Sequence, residues 1–207
     1  MSHTRFIKLS ALAGMVGPLW FGGVALGLTL VQVDFMRSLG WDPLRAPTLD
    51  WPSGLSLGPY GWLMTATFLL SGGLMVVFAL GLRRVLTGEN ARRATALFTL
   101  AGLAMALLAS PTDPTHRNTP ATWHGVLHDV AFVMLGLALF AAMSLLGFVF
   151  RRDESWRGLG VYTWGTLALA APTFFLKGLA FYTFLAAILI WSDLVALRLY
   201  RLAEERT

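Results

Sequence analysis

Cysteine is absent from the 207 residues. Its absence excludes disulfides, thiolate metal sites, cysteine nucleophiles and iron–sulfur clusters, and assigns no redox compartment. Charge is scarce as well. Only 13% of residues are charged, where soluble domains carry roughly 25%. No GxSxG, P-loop or strand-to-helix GxGxxG is present. The chain has 4 histidines, and only one apolar run carries any of them, so a haem held between two facing helices lacks its ligands. What fills the chain instead is hydrophobic: 56% of residues, with a mean hydropathy of +0.65. A soluble fold of this size could not hide so much apolar surface. A bilayer removes the conflict, because lipid solvates the outside of the protein.

The charges that remain give a net +5. They sit in short clusters between apolar runs, not along one basic face, so nucleic acid is not the expected partner; membrane lipids are. Arg5 and Lys8 precede the first apolar run, as in a signal peptide. That run continues from Leu9 to Val33, about twice an h-region of roughly 7–15 residues, and reads as a membrane helix that stays attached.

A helix needs about 20 apolar residues to cross the hydrocarbon. This ruler predicts spans at about 9–33, 59–82, 94–110, 121–150, 158–175 and 178–200, within one transmembrane domain covering 1–207. The fold class is therefore all-α: a polytopic bundle of about six membrane helices. One side receives Arg5, Lys8, Arg83, Arg84, Arg92, Arg93, Arg151, Arg152, Arg157, Arg198, Arg201 and Arg206, which is 12 of the 16 basic residues. The other receives Arg37, Arg45, Arg117 and Lys177. Positive charge marks the cytoplasmic side, so both termini are expected inside.

Three outer loops follow from this count. The first is long, 34–58; the second reads PTDPTHRNTP from Pro111 to Pro120; the third is a tight turn from Pro172 to Gly178 with Lys177 at its tip. Trp41, Trp51, Trp62 and Trp123 are expected at the outer interface, and Trp156 and Trp191 at the inner one, as an aromatic belt. Gly23 and Gly27 form a GxxxG, and Ser71-Gly72-Gly73 is a second small-residue run. Such residues let helices approach closely. The expectation is contact within the bundle, with a homo-oligomer seam through Gly23 and Gly27 as the alternative.

Polar groups near a membrane are costly, so their positions point to function. The densest cluster is Ser110, Asp113 and His116, followed by His124, His128 and Asp129. With Lys177 these are the candidate ligand-binding residues. Histidines four apart on a helix share a face, so His124 and His128 could hold one metal ion with Asp113, zinc by residue type. The structural alternative is that both rings bond loop backbone and pin the Pro-rich loop to the helix. Asp129 points away from the pair and is expected to meet a neighbouring helix or Lys177. Counting back about 20 residues from Arg151 puts the outer hydrocarbon boundary near Ala131, so the cluster lies at headgroup depth. Asp193 is the other intramembrane acid, expected to pair with Arg83, Arg84 or Arg152, or else to couple protons.

Gly17-Pro18 opening the first span, the six-span layout, and Ser110-Pro-Thr-Asp113-Pro followed by His124 and His128 resemble the bacterial membrane proteins of the domain of unknown function 998 family, over about Gly14–Leu199. That resemblance implies no particular activity, and the long Trp-rich first outer loop departs from it. A fainter likeness joins Ser110, Asp113, His116, His124 and His128 to membrane hydrolases such as alkaline ceramidases and adiponectin-type receptors. Those hold zinc with Ser, Asp and three His, on seven spans. The likeness implies a lipid amide or ester hydrolase at the outer leaflet. Beside it stand a lipid- or ligand-binding membrane protein and a small proton-coupled transporter.

Overall fold

The computed structural model describes residues 3–45, 50–114, 120–175 and 179–205. Among them are seven α-helices and no extended strand: α1 (His3–Val31), α2 (Val33–Ser38), α3 (Gly61–Val85), α4 (Glu89–Leu107), α5 (Trp123–Arg152), α6 (Leu159–Phe175) and α7 (Leu179–Glu204). Four of these, α1, α3, α5 and α7, are long and apolar enough to cross a membrane. The protein is thus an all-helical, multi-pass membrane protein. Helix α4 opens on Glu89, to which Arg92 and Arg93 both donate from about one turn further along, and only its later part is apolar. Helix α6 has 17 residues, about 25 Å at 1.5 Å per residue.

The six longer helices form a closed ring. Each packs on its neighbours in sequence, and α1 closes against α7. The short α3–α4 and α5–α6 connections make those pairs antiparallel neighbours, and packing sets the order across the longer segments before α3 and before α5. The α3–α4 and α5–α6 turns and the ends of α1 and α7 share one end of the ring, where Arg83, Arg84, Arg92, Arg93, Arg151, Arg152, Arg157, Arg198 and Arg201 cluster. At that end Asp153 accepts a bond from the Ser155 amide, and Arg198 reaches across from α7 to the Ser155 carbonyl.

Two cores fill the ring. The basic end holds Phe78, Phe98, Phe150, Trp156 and Trp191, and the opposite end holds Phe21, Phe68, Trp51, Phe181 and Phe184.

Several expectations need correction. Helix α1 begins before Leu9 and ends at Val31, and Val33–Ser38 is a separate short helix. Helix α4 starts at Glu89 and stops at Leu107. Pro172 does not break the chain; it lies inside α6. The first outer loop is not an open excursion. It contains α2 and a tight 3-10 turn at Ser53–Leu57, and it folds into the bundle. Gln32 holds it there, giving a side-chain N–H to the Leu55 carbonyl and taking one from the Tyr60 amide.

The aromatic belt is real only in part. Trp62 and Trp123 are 70% and 77% exposed, but Trp41, Trp51, Trp156 and Trp191 are buried. Each indole N–H that goes inside needs an acceptor. Trp51 donates to Thr29 and Trp191 to Thr163. Trp156 stacks on Phe150 instead, and its N–H has no partner.

Asp193 forms none of the ion pairs expected of it. One of its carboxylate oxygens is buried without a hydrogen-bond partner, while Arg84 lies over the Phe6 ring.

The small residues divide. A Cβ on Gly72 would stand 2.5 Å from the Ala106 nitrogen, and one on Gly102 would stand 3.0 Å from the Gly72 carbonyl oxygen. This is the close α3–α4 crossing. Gly23 and Gly27 have nothing within 4 Å of such an atom, so they do not pack within the bundle. Gly72→Val and Gly102→Val should each cost about 1–3 kcal/mol or more through backbone overpacking. Gly23→Ala and Gly27→Ala should leave the melting temperature in detergent unchanged. Equal destabilisation at all four positions would contradict this division.

Candidate functional site

The site is built where α4 ends and α5 begins. Thr122 is the N-cap of α5, and its hydroxyl accepts from the Gly125 amide at 3.1 Å. A helix start leaves amides without intrahelical acceptors, and Thr is among the side chains that supply one. Asp113 arrives on the strap after α4 and accepts from both the Thr122 amide and the Thr122 hydroxyl, each at 2.8 Å. Its carboxylate lies so close over the Gly125 Cα that any Cβ there would collide with it. The helix N-terminus also favours negative charge at this place. The amide and hydroxyl bonds from Thr122 hold the Asp113 carboxyl below its usual 3.8, with the nearby His124 ring adding to the effect.

The two histidines are committed to different partners. His128 is 3% exposed. Its Nδ1 lies 2.8 Å from the Ser110 carbonyl oxygen, and its Nε2 lies 2.9 Å from the Ser53 hydroxyl. A carbonyl can only accept, so Nδ1 carries a proton; in the tautomer protonated there alone, Nε2 accepts from Ser53. Thus His128, on α5, ties the end of α4 to the turn of the first outer loop. The Phe68 ring meets it edge-on.

His124 Nδ1 sits between the Pro111 carbonyl at 3.0 Å and the Thr122 hydroxyl at 2.9 Å. The Thr122 proton is given to Asp113, so both of those oxygens act as acceptors and Nδ1 again carries the proton. Ser110 closes the loop of bonds by donating to the His124 carbonyl.

The structure therefore brings together Ser110, Asp113, His124 and His128. It joins to them Ser53, Thr122 and Gly125, which were not singled out in the sequence. Thr122 carried a legible signal, a Thr just before an apolar run. Ser53 carried none, since it comes from a loop more than seventy residues away. Asp129 lies on the exposed side of α5, so no neighbouring helix covers it. His116 and Lys177 fall outside the described residues.

The candidate zinc ligands do not converge as placed. His124 and His128 turn their Nδ1 protons to separate carbonyls, His128 Nε2 is taken by Ser53, and both Asp113 oxygens serve the cap of α5. Among the described residues no three His, Cys, Asp or Glu side chains form a metal-holding group.

Beneath the polar network is a cavity of about 140 Å³. Its end beside the cluster is lined by Pro52, Ser53, Phe21, Phe68 and Phe132, and its end toward the arginine-rich turns by Phe78, Phe98, Leu139 and Trp191. None of the lining residues is charged.

The Asp113 carboxyl sets an acid limit for this region. A group whose folded pKa is depressed contributes stability above its unfolded value, and loses it as pH falls through the folded one. Thermal stability of the wild type should therefore fall further than that of Asp113→Asn as pH drops below about 3.8. Parallel curves for the two proteins across that window would refute the bonding described. Gly125→Val should destabilise at every pH, because it evicts the carboxylate.

Comparison with curated proteins and with solved structures found no match. The sequence model of a family described as a protein of unknown function (DUF998) matches residues 21–199, most of the chain. The match spans the outer loop with Ser53, the strap with Asp113 and the histidine-bearing helix together. The protein that builds this ring and its capped outer end belongs to the DUF998 family.

Proposed function

We propose that the chain crosses a bacterial cytoplasmic membrane six times, with both termini on the cytoplasmic side, and that its outer-face polar cluster receives the headgroup of a membrane lipid. One observation carries the reading: Ser53 belongs at once to the hydrogen-bonded cluster and to the wall of the apolar cavity. A polar rim standing directly on an apolar interior suits an amphiphile. Ligand sites in general are largely apolar, with a few placed polar groups that fix orientation. The His124 ring stands at the rim beside the exposed Trp123, and the exposed Asp129 lies about one turn further along α5.

The six-span count rests on the closed ring and on the basic residues at one of its ends. A ring of alternating antiparallel helices in which only some crossed the bilayer would leave α4 and α6 with apolar faces in water. A proton-coupled transporter has less support, because no charged residue lines the cavity between Asp193 and the outer cluster.

Two measurements test this. The chain has no native cysteine, so single-cysteine variants report topology cleanly. Leu44→Cys should react with an impermeant maleimide in intact cells, and Glu154→Cys only after permeabilisation; the reverse pattern would overturn the orientation. Native mass spectrometry of purified protein tests the headgroup site. His124→Ala should lower lipid occupancy about tenfold, the effect of one lost hydrogen bond of about 1–1.5 kcal/mol. A double variant, His124→Ala with Asp129→Ala, that keeps the wild-type lipid complement would sink the headgroup assignment.

A further inference from the structure

The arginines at the basic end are not equivalent. Glu89 takes Arg92 and Arg93, and Arg198 is bonded to Glu205 and to the Ser155 carbonyl. Arg151, in the last turn of α5, has no carboxylate partner among the described residues. Its guanidinium lies over the Trp164 ring, 5.7 Å from the ring centre. An arginine stacked on an aromatic face keeps its N–H donors, which lie in its own plane, free at the edges.

Trp164 is itself fixed. The ring rests on Gly147, where any Cβ would collide with the indole nitrogen. That nitrogen donates to the Ser144 carbonyl at 3.2 Å, and Phe148 meets the ring edge-on at 4.7 Å. Ser144, Gly147 and Arg151 follow one another at the three- and four-residue spacing of a single helix face. The first turn of α6 abuts the same face, since a Cβ on Gly160 would stand 2.7 Å from the Arg151 nitrogen. The start of α6, its positive end, is therefore beside Arg151. Arg157, in the turn between the helices, is exposed and also lacks a carboxylate partner among the described residues. The acids of this turn belong to another neighbourhood. Asp153 and Glu154 line, with Arg152, a polar hollow against Thr87 and Asn90 at the start of α4, and Asp153 accepts from the Ser155 amide.

Trp164 lies five residues beyond Leu159, about 7–8 Å along α6, the place of an interfacial tryptophan. Past it the outer surface of α5 and α6 is apolar and shallow. Ala141, Gly165 and Ala168 are exposed there, and a Cβ on Gly165 would meet nothing within 4 Å.

We propose that Arg151, held on Trp164, binds the phosphate of one anionic phospholipid of the phosphatidylglycerol class, with a chain of that lipid lying along the α5–α6 surface past Gly165. Arg157 and the start of α6 add positive charge, which suits a lipid of net negative charge over a zwitterion. The apolar surface directly below suits a lipid over a free phosphate ion. The site stands at the opposite end of the ring from the polar cluster and does not depend on the headgroup reading. The orientation proposed above decides only which leaflet supplies the lipid.

Native mass spectrometry of full-length protein, delipidated in detergent and titrated with phosphatidylglycerol or with phosphatidylcholine of the same chains, is the test. Wild type should retain one phosphatidylglycerol several times better than phosphatidylcholine. Arg151→Gln should lower that retention roughly tenfold, the effect of a lost charged hydrogen bond. Arg201→Gln, at the same end on α7, should leave it unchanged. Trp164→Leu should lower it severalfold and Trp164→Phe should not, because the ring positions the guanidinium. Gly165→Leu should lower it without changing the melting temperature. Equal retention of the two lipids, or equal losses in Arg151→Gln and Arg201→Gln, would reduce the site to diffuse attraction and overturn the proposal. Displacement of the lipid by millimolar inorganic phosphate would overturn it in favour of a free anion. Wild-type retention in Gly165→Leu would refute the chain's place. His124→Ala should leave this phosphatidylglycerol bound, so the two ends stand or fail separately; loss of the same adduct in His124→Ala would count against Arg151.

Discussion

Closure of α1 on α7 is the constraint from which the rest of this structure follows. Helices packed only on their chain neighbours make a ring, and six of them, each about 10–12 Å across with side chains, leave a hole at the centre. Lipid outside the ring supplies no hydrophobic drive to close it, since hydrocarbon tails are as apolar as leucine. The hole must be filled by large side chains or stay partly open. Here aromatic rings fill it from both ends: Phe78, Phe98 and Trp191 at the basic end, and Phe21, Phe68, Phe181 and Phe184 at the other. Aromatic pairs favour edge-on contacts that interlock across such a gap. What the rings do not fill remains as the central cavity.

The outer end needs a different solution. There the chain leaves helical geometry between α4 and α5, and each buried backbone group left unpaired is costly. Asp113, Thr122 and Gly125 satisfy the start of α5, and His128 then does what no aliphatic residue could. One ring nitrogen donates to the end of α4 and the other accepts from the first outer loop. A neutral imidazole offers this donor–acceptor pair on opposite sides of a rigid plane. Two segments far apart in sequence are thereby fixed to one helix, and the loop becomes a roof over the cavity.

Much of the fold was legible in the chain. The apolar runs near 121–150, 158–175 and 178–200 overlap α5, α6 and α7 closely, because a long apolar run bounded by charge, Gly and Pro has helix as its one way to pair its own backbone. The identities of the polar cluster were legible too, since a costly residue near a membrane stands out in an apolar sequence. Its partners were not. Period and composition report which face a residue lies on, not which distant loop meets it, so Ser53 carried no signal while His128 did. Trp41 and Trp51 show the same limit: their residue type suits an interface, and only the acceptor on Thr29 and the rings of Phe181 and Tyr182 draw Trp51 inside. Gly23 and Gly27 carried a packing motif with no packing partner in the bundle, whereas Gly72 and Gly102, separate in sequence, made the close crossing.

The distribution of polarity along the ring gives the molecule a direction. Arginine gathers at one end, an uncharged cavity walled largely by aromatic rings occupies the middle, and a hydrogen-bonded polar rim stands at the other. A catalytic centre requires groups whose bonding capacity is left over for a substrate. In this rim His128, Asp113 and Thr122 spend theirs on holding the roof and the helix start, and only the outer side of the His124 ring and the exposed Asp129 face away from those internal bonds. Such an arrangement is held by internal bonds where it meets the cavity and is exposed on its far side at Asp129. The bonds that hold the roof and the helix start therefore also set the geometry of the rim that stands over the cavity.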